Sequence, residues 1–107
     1  MNRGELWTVS GGVYAAKPRP AIIVQDDLFS ATESVVVIPL TTTAVAGVAV
    51  TRIAVPTTSG VTQASFAMID KITTVRRSNL GARVGRVSTM LMAEIERSLM
   101  VFLGLAS

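Results

Sequence analysis

Two short segments carry side chains suited to gripping a phosphate. In Lys17-Pro18-Arg19-Pro20 prolines stand on both sides of an arginine, and each proline presses the residue before it into extended geometry. A backbone stiffened in this way restricts where the guanidinium points, and a guanidinium can hold phosphate oxygens through two parallel hydrogen bonds. In Pro39-Leu40-Thr41-Thr42-Thr43 three hydroxyls follow an apolar run. Hydroxyls at a rigid strand end can bond phosphate oxygens or a ribose 2′-OH. Taken singly, the segments also read as ordinary structure: a proline-bracketed strand entry with a surface arginine, and a solvated strand end.

Other chemistries are narrowed by what the sequence lacks. It has no histidine and no cysteine, so Ser–His and Cys–His nucleophiles, thiolate metal sites and disulfides are all excluded. Carboxylates alone can hold magnesium, but Asp26 and Asp27 are neighbours whose side chains diverge in a strand and read as a solvated strand end. Ser10-Gly11-Gly12 is too short a glycine signal to be more than a turn. No metal and no cofactor is expected. The chain carries 10 Lys and Arg against 7 Asp and Glu, a net charge of +3 and a pI near 10.2. The bases cluster at Lys17 and Arg19, at Arg76-Arg77, and at Arg83 and Arg86, a pattern that suits a polyanion.

The elements that must position these residues are short strands and one helix. Gly4–Ser10 alternates weakly and stops at Gly11-Gly12, while Pro20–Gln25 is a β-branched run ended by Asp26-Asp27. Ser34–Leu40 is apolar throughout, the pattern of a central strand buried on both faces. Pro39 cannot donate to a ladder and predicts a bulge or strand end there. Val50–Val55 alternates up to Pro56, and Ser65–Val75 reads as one long strand with a polar interruption at Asp70-Lys71. After Val87 the period changes: Leu91, Ile95, Leu99, Phe102 and Leu103 fall on one helical stripe, with Ser88 as N-cap and Gly104 as C-cap. The outline is mainly β with a C-terminal helix, a small SH3-like barrel or half-open sheet of about five to seven short strands.

A chain of 107 residues makes a single domain, residues 1–107. Half of it is hydrophobic and the mean hydropathy is +0.53. A domain this small has little core relative to surface, so surplus apolar residues predict a homodimer. The apolar stretches Val35–Leu40 and Ala44–Val50 fall far short of the ~20 residues that span a bilayer. The opening residues lack the apolar core of a signal peptide, so a cytoplasmic protein is expected.

In order along the chain these segments resemble the MazF/PemK toxin family. Arg3-Gly4-Glu5-Leu6-Trp7 resembles its opening strand, and residues 17–27 its arginine–proline strand ending in a polar pair. Residues 35–42 resemble the strand that ends in the family's threonine, and Ser65–Val75 the strand that carries an aspartate, here Asp70. Leu80, Gly85, Val87 and the helix up to Leu105 resemble the closing segment. The resemblance implies a dimeric toxin of the CcdB/PemK fold that cleaves single-stranded RNA without metal. It implies a 2′,3′-cyclic phosphate and a 5′-hydroxyl on the products, and a cognate antitoxin whose acidic tail lies across the RNA groove.

Carried over by motif, the catalytic arginine falls on Arg19 and the catalytic threonine on Thr41. Arg19 would stabilise charge on the non-bridging oxygens and could protonate the leaving 5′-oxygen; Thr41 would hydrogen-bond the scissile phosphate. Asp70 would act as a base, or position Arg19 or an RNA base. Lys17, Gln25, Thr42, Arg76 and Arg77 are the candidate RNA-binding residues. Two features depart from the family pattern. The loop from Ser10 to Ala16 is short and lacks acidic and amide residues, and Met68 stands where some relatives carry an arginine. The alternative is a non-catalytic toxin like CcdB that inhibits DNA gyrase through residues at the helix end, typically including a tryptophan. Here Trp7 is the single tryptophan and the chain ends in Leu105-Ala106-Ser107, which favours the nuclease.

Overall fold

The apolar run of residues 34–40 becomes the hub of the sheet. The computed structural model describes residues 1–11, 15–44 and 50–106, so the middle of the short loop Ser10–Ala16 and most of the stretch Ala44–Val50 lie outside the described residues. Within them run seven strands: β1 (Glu5–Gly11), β2 (Ala15–Ile23), β3 (Ser34–Thr41), β4 (Arg52–Val55), β5 (Ser65–Met68), β6 (Thr73–Arg76) and β7 (Leu80–Arg86). They are followed by the helix α1 (Thr89–Phe102). The spatial order is β4-β5-β3-β2-β1-β7, with β6 also on β3, and every pairing is antiparallel.

The proline in β3 does not end the strand. Val36 turns its polar groups toward β2, accepting from the Val24 N–H and donating to Gln25. By alternation the nitrogen of Pro39 faces the other edge. There the partner changes, from β6, which ends at Val37↔Thr73, to β5, which begins at Leu40↔Ala67. The missing N–H falls in the gap between the two. The expected long strand Ser65–Val75 is accordingly split into β5 and β6 by a 3₁₀ turn, Ile69–Lys71. Both halves lie on the same edge of β3, but their registers differ by three residues, the length of the turn.

β7 was legible only as a closing segment, because glycines at 81 and 85 weaken a strand pattern. Close neighbours demand them. A Cβ on Gly85 would sit 1.8 Å from the Ser59 carbonyl oxygen, and one on Gly81 2.5 Å from the Thr8 hydroxyl.

The main core gathers Leu6, Ile22, Ile38 and Leu40 with Ile53, Val55 and Ile69, and is closed by Leu91, Met92 and Ile95 of α1. A second cluster lies on the opposite face of β2 and β3, where Ala21, Ile23, Val35 and Val37 meet Val9 and Val75. α1 begins as expected: the Ser88 hydroxyl accepts from the Leu91 N–H at 3.0 Å. It ends with Gly104 at φ 74, where the Leu105 and Gly104 N–H groups donate to the Met100 and Val101 carbonyls. The stripe is buried only in its first half. Leu99 packs partly, while Phe102 and Leu103 are 44% and 50% exposed. No helix among the described residues is long and apolar enough to cross a membrane.

Candidate active site

β2 and β3 pair in a constant register, Ala21↔Pro39, Ile22↔Ile38, Ile23↔Val37. Continued by two residues, that register sets Arg19 opposite Thr41. Side chains two apart share a face, so both residues continue the face that carries Ala21, Ile23 and Val37 into the second cluster. Buried apolar neighbours fix the two strands, and the polar pair occupies the end where that cluster gives out. Extension of the strands thus brings together two residues that lie 22 positions apart in the sequence.

The two candidates line one cleft of about 390 Å³, with Pro20, Leu40, Thr42, Thr43, Ser65, Met68 and Lys71. Arg19 is exposed and its guanidinium has no hydrogen-bond or ion-pair partner among the described residues. Thr41 is half-buried, and its Oγ1 accepts the Thr43 N–H at 3.2 Å. A hydroxyl has one donor and two acceptor positions, so this bond leaves the Thr41 hydrogen available to an anion. The lining holds two cations, Arg19 and Lys71, and no carboxylate. Lys17 is exposed and, two residues before Arg19 on β2, shares its face, but it does not line the cleft.

Asp70, expected to act as a base or to position Arg19 or an RNA base, does not line the Arg19 cleft. Its carboxylate is ion-paired with Arg52 of β4, and Arg52 also donates to the Thr51 carbonyl. The Ile69 N–H bonds the same carbonyl. Together these contacts fasten the turn Ile69–Lys71 to β4. The turn in its fixed orientation brings Lys71 to the cleft beside Met68, so that a cation is supplied by a neighbour of the position where some relatives carry an arginine.

Gln25, Arg76 and Arg77 sit at the other end of β3, where Ser34 pairs with Arg76. Seven residues of strand put this end about 23 Å from Thr41. Gln25 is occupied there: its Nε2 donates to the Phe29 carbonyl and the Thr32 hydroxyl, both at 2.8 Å, and its Oε1 accepts from Val36. The Arg77 Nε donates to the Thr32 carbonyl at 2.8 Å. Gln25 and Arg77 fasten the segment 26–33, and none of the three is brought to the Arg19 cleft. Sequence reasoning missed Lys71 and Ser65 as cleft residues and Arg52 as the partner of Asp70. The signal was weak: the adjacent opposite charges of Asp70-Lys71 marked a break in a strand, and Arg52 stood alone.

Among the described residues no three acidic side chains are grouped to hold a metal ion. Elsewhere, the nearly buried Glu5 carboxylate accepts from the Asn2 N–H at 2.6 Å, the Arg83 Nε at 2.8 Å and the Trp7 indole at 3.1 Å. Those bonds, the Asn2 N–H first, hold its carboxyl below the usual range against the opposing push of burial.

Known proteins share both sequence and fold with this chain. A family model described as "PemK-like, MazF-like toxin of type II toxin-antitoxin system" matches residues 2–103. The chain is 46% identical over 108 residues to a Mycolicibacterium smegmatis protein named "Probable endoribonuclease MazF", with 99% of each chain covered. A solved mycobacterial endoribonuclease in complex with its cognate antitoxin superposes with a TM-score of 0.86 at 26% identity, over 100% of this chain and 98% of that one. The Mycobacterium tuberculosis toxin MazF-mt6 shares the fold with a TM-score of 0.83 at 20% identity, over 96% and 99% of the two chains. With a family model spanning almost the whole sequence and a full-length relative at 46% identity, the chain belongs to the PemK/MazF toxin family.

Proposed function

We propose that the cleft between Arg19 and Thr41 is where this family member, an endoribonuclease toxin, cuts single-stranded RNA. One observation carries the assignment: an arginine without an internal partner among the described residues and a threonine whose hydroxyl hydrogen is available line the same cleft, which is lined by no carboxylate. The substrate supplies the nucleophile. Its 2′-oxygen loses a proton and bonds to phosphorus, the P–O5′ bond breaks, and the 5′-oxygen takes up a proton, leaving a 2′,3′-cyclic phosphate and a 5′-hydroxyl. Negative charge grows on the non-bridging oxygens during the attack, and fixed donors aimed at that charge accelerate the step. Arg19 supplies two such donors and Thr41 one. Thr42 and Lys17 flank the path of the backbone. The chain acts in the cytoplasm as a homodimer, and an acidic antitoxin segment covers the Arg19–Lys71 cleft when it neutralises the toxin.

The test is cleavage of a mixed RNA in EDTA, with gyrase supercoiling run alongside. Wild type should cut in EDTA, and Arg19→Ala and Thr41→Ala should each lose ~10²–10³ in kcat while staying folded. Thr41→Ser, which keeps the hydroxyl, should retain part of the rate. A substrate with 2′-deoxyribose at the cut should bind and resist cleavage. Full activity in Arg19→Ala, or cutting of the deoxy substrate, would remove the mechanism.

A further inference from the structure

A second cavity of about 210 Å³ adjoins the cleft, lined by Thr8, Gly60, Val61, Thr62, Gln63 and Val84. Pro20, Thr42 and Ser65 line both spaces. Pro20 follows Arg19 and Thr42 follows Thr41, so the two cavities meet one residue beyond the pair assigned to the phosphate. At about 3.3 Å per residue, that step lies within the reach of a single nucleotide. The volume is below the ~300–1,000 Å³ of pockets that enclose whole drug-sized ligands, which suits one planar group.

Its walls and its polar groups fit the same occupant. Pro20, Val61 and Val84 give apolar surface for the face of a ring. The wall is rigid because Gly60 and Gly85 bring two backbones together: a Cβ on Gly60 would lie 2.2 Å from the Val84 carbonyl oxygen. Two of the polar groups are already used. The Ser65 hydroxyl donates to the Gln63 carbonyl at 2.9 Å, and the Thr8 hydroxyl accepts the Ala82 N–H at 2.9 Å. The Gln63 amide is exposed and makes no side-chain hydrogen bond among the described residues. It offers a donor and an acceptor side by side, the pairing that reads a base edge.

We infer that this cavity receives the unpaired base of one nucleotide flanking the cut, and that Gln63 is the residue that discriminates among bases there. The inference rests on the assignment of the scissile phosphate to Arg19 and Thr41. The 5′-hydroxyl ends of products from a randomised RNA pool, sequenced for wild type, Gln63→Ala and Gln63→Glu, test it. In Gln63→Ala the base preference at a single position next to the cut should fall roughly tenfold, the worth of one lost amide–base pair, with other positions retained. In Gln63→Glu that position should shift toward guanine, whose N1–H and amino group present two adjacent donors to a carboxylate that only accepts. Binding of 2′-deoxy oligonucleotides varied at the same position reads the preference without turnover. Identical profiles for all three proteins would overturn the pocket while leaving the catalytic assignment standing. A preference visible in binding, from a wild type that cuts nothing, would support the pocket and sink the chemistry. Neither cutting nor binding by wild type would overturn both.

Discussion

Asp70 and Lys71 are neighbours in one turn and serve different ends. The aspartate is taken by Arg52, and the lysine stands in the cleft without an internal partner among the described residues. Lys71→Ala should therefore raise KM for RNA with kcat retained, and the salt dependence of binding should lose about 0.7 in log–log slope, the share of one phosphate contact on a single strand. Lys71→Arg should restore the slope. An unchanged slope in the alanine variant would take Lys71 off the RNA path. Glu5 yields a prediction about stability. A carboxyl held below its ordinary value binds fewer protons in the folded than in the unfolded state, so its contribution is complete above the ordinary value of 4.5 and fades as pH falls through the folded one. Wild type should melt above Glu5→Gln near neutral pH, and the gap should close in acid. That Arg19 and Thr41 share a cleft was readable in the sequence, because prolines and a buried run mark their strands. Gln25, Arg76 and Arg77 have the right chemistry, but a residue's type does not say at which end of a strand it lies.

Among the elements, β3 was legible because an unbroken apolar run must be buried on both faces. The consequence of its proline was only half legible. The sequence shows the missing N–H but not that a neighbouring strand would break opposite it and shift by three residues. β7 was hidden for the opposite reason, since its glycines answer to backbones from elsewhere in the chain. Gly85→Ala measures that contact: with the Ser59 carbonyl oxygen 1.8 Å from the new methyl, backbone must move, and a loss of about 1–3 kcal/mol or more is expected by chemical denaturation. A variant as stable as wild type would show that the contact relaxes freely. The helix cap is a milder case, and Ser88→Ala should cost ~1 kcal/mol by the same measurement.

At the scale of the molecule, the apolar surplus reappears at the end of α1, where Met100, Val101, Phe102, Leu103 and Leu105 are each between 41% and 71% exposed. Light scattering should return twice the 11.3 kDa chain mass, and Phe102→Asp combined with Leu105→Asp should shift it toward the single chain. A wild-type monomer at micromolar concentration would contradict the dimer. The helical stripe was read correctly as apolar; which half would be buried depended on how far the sheet extends beneath it. The pairing of β1 with β7 joins the two ends of the chain, Glu5 lying opposite Arg86 and Val9 opposite Leu80. During translation β1 emerges early and waits for that partner, ~4–14 s at ~5–20 residues per second. The helix that closes the main core comes later still. A growing chain thus carries Arg19 and Thr41 before it has a closed sheet to hold them in place.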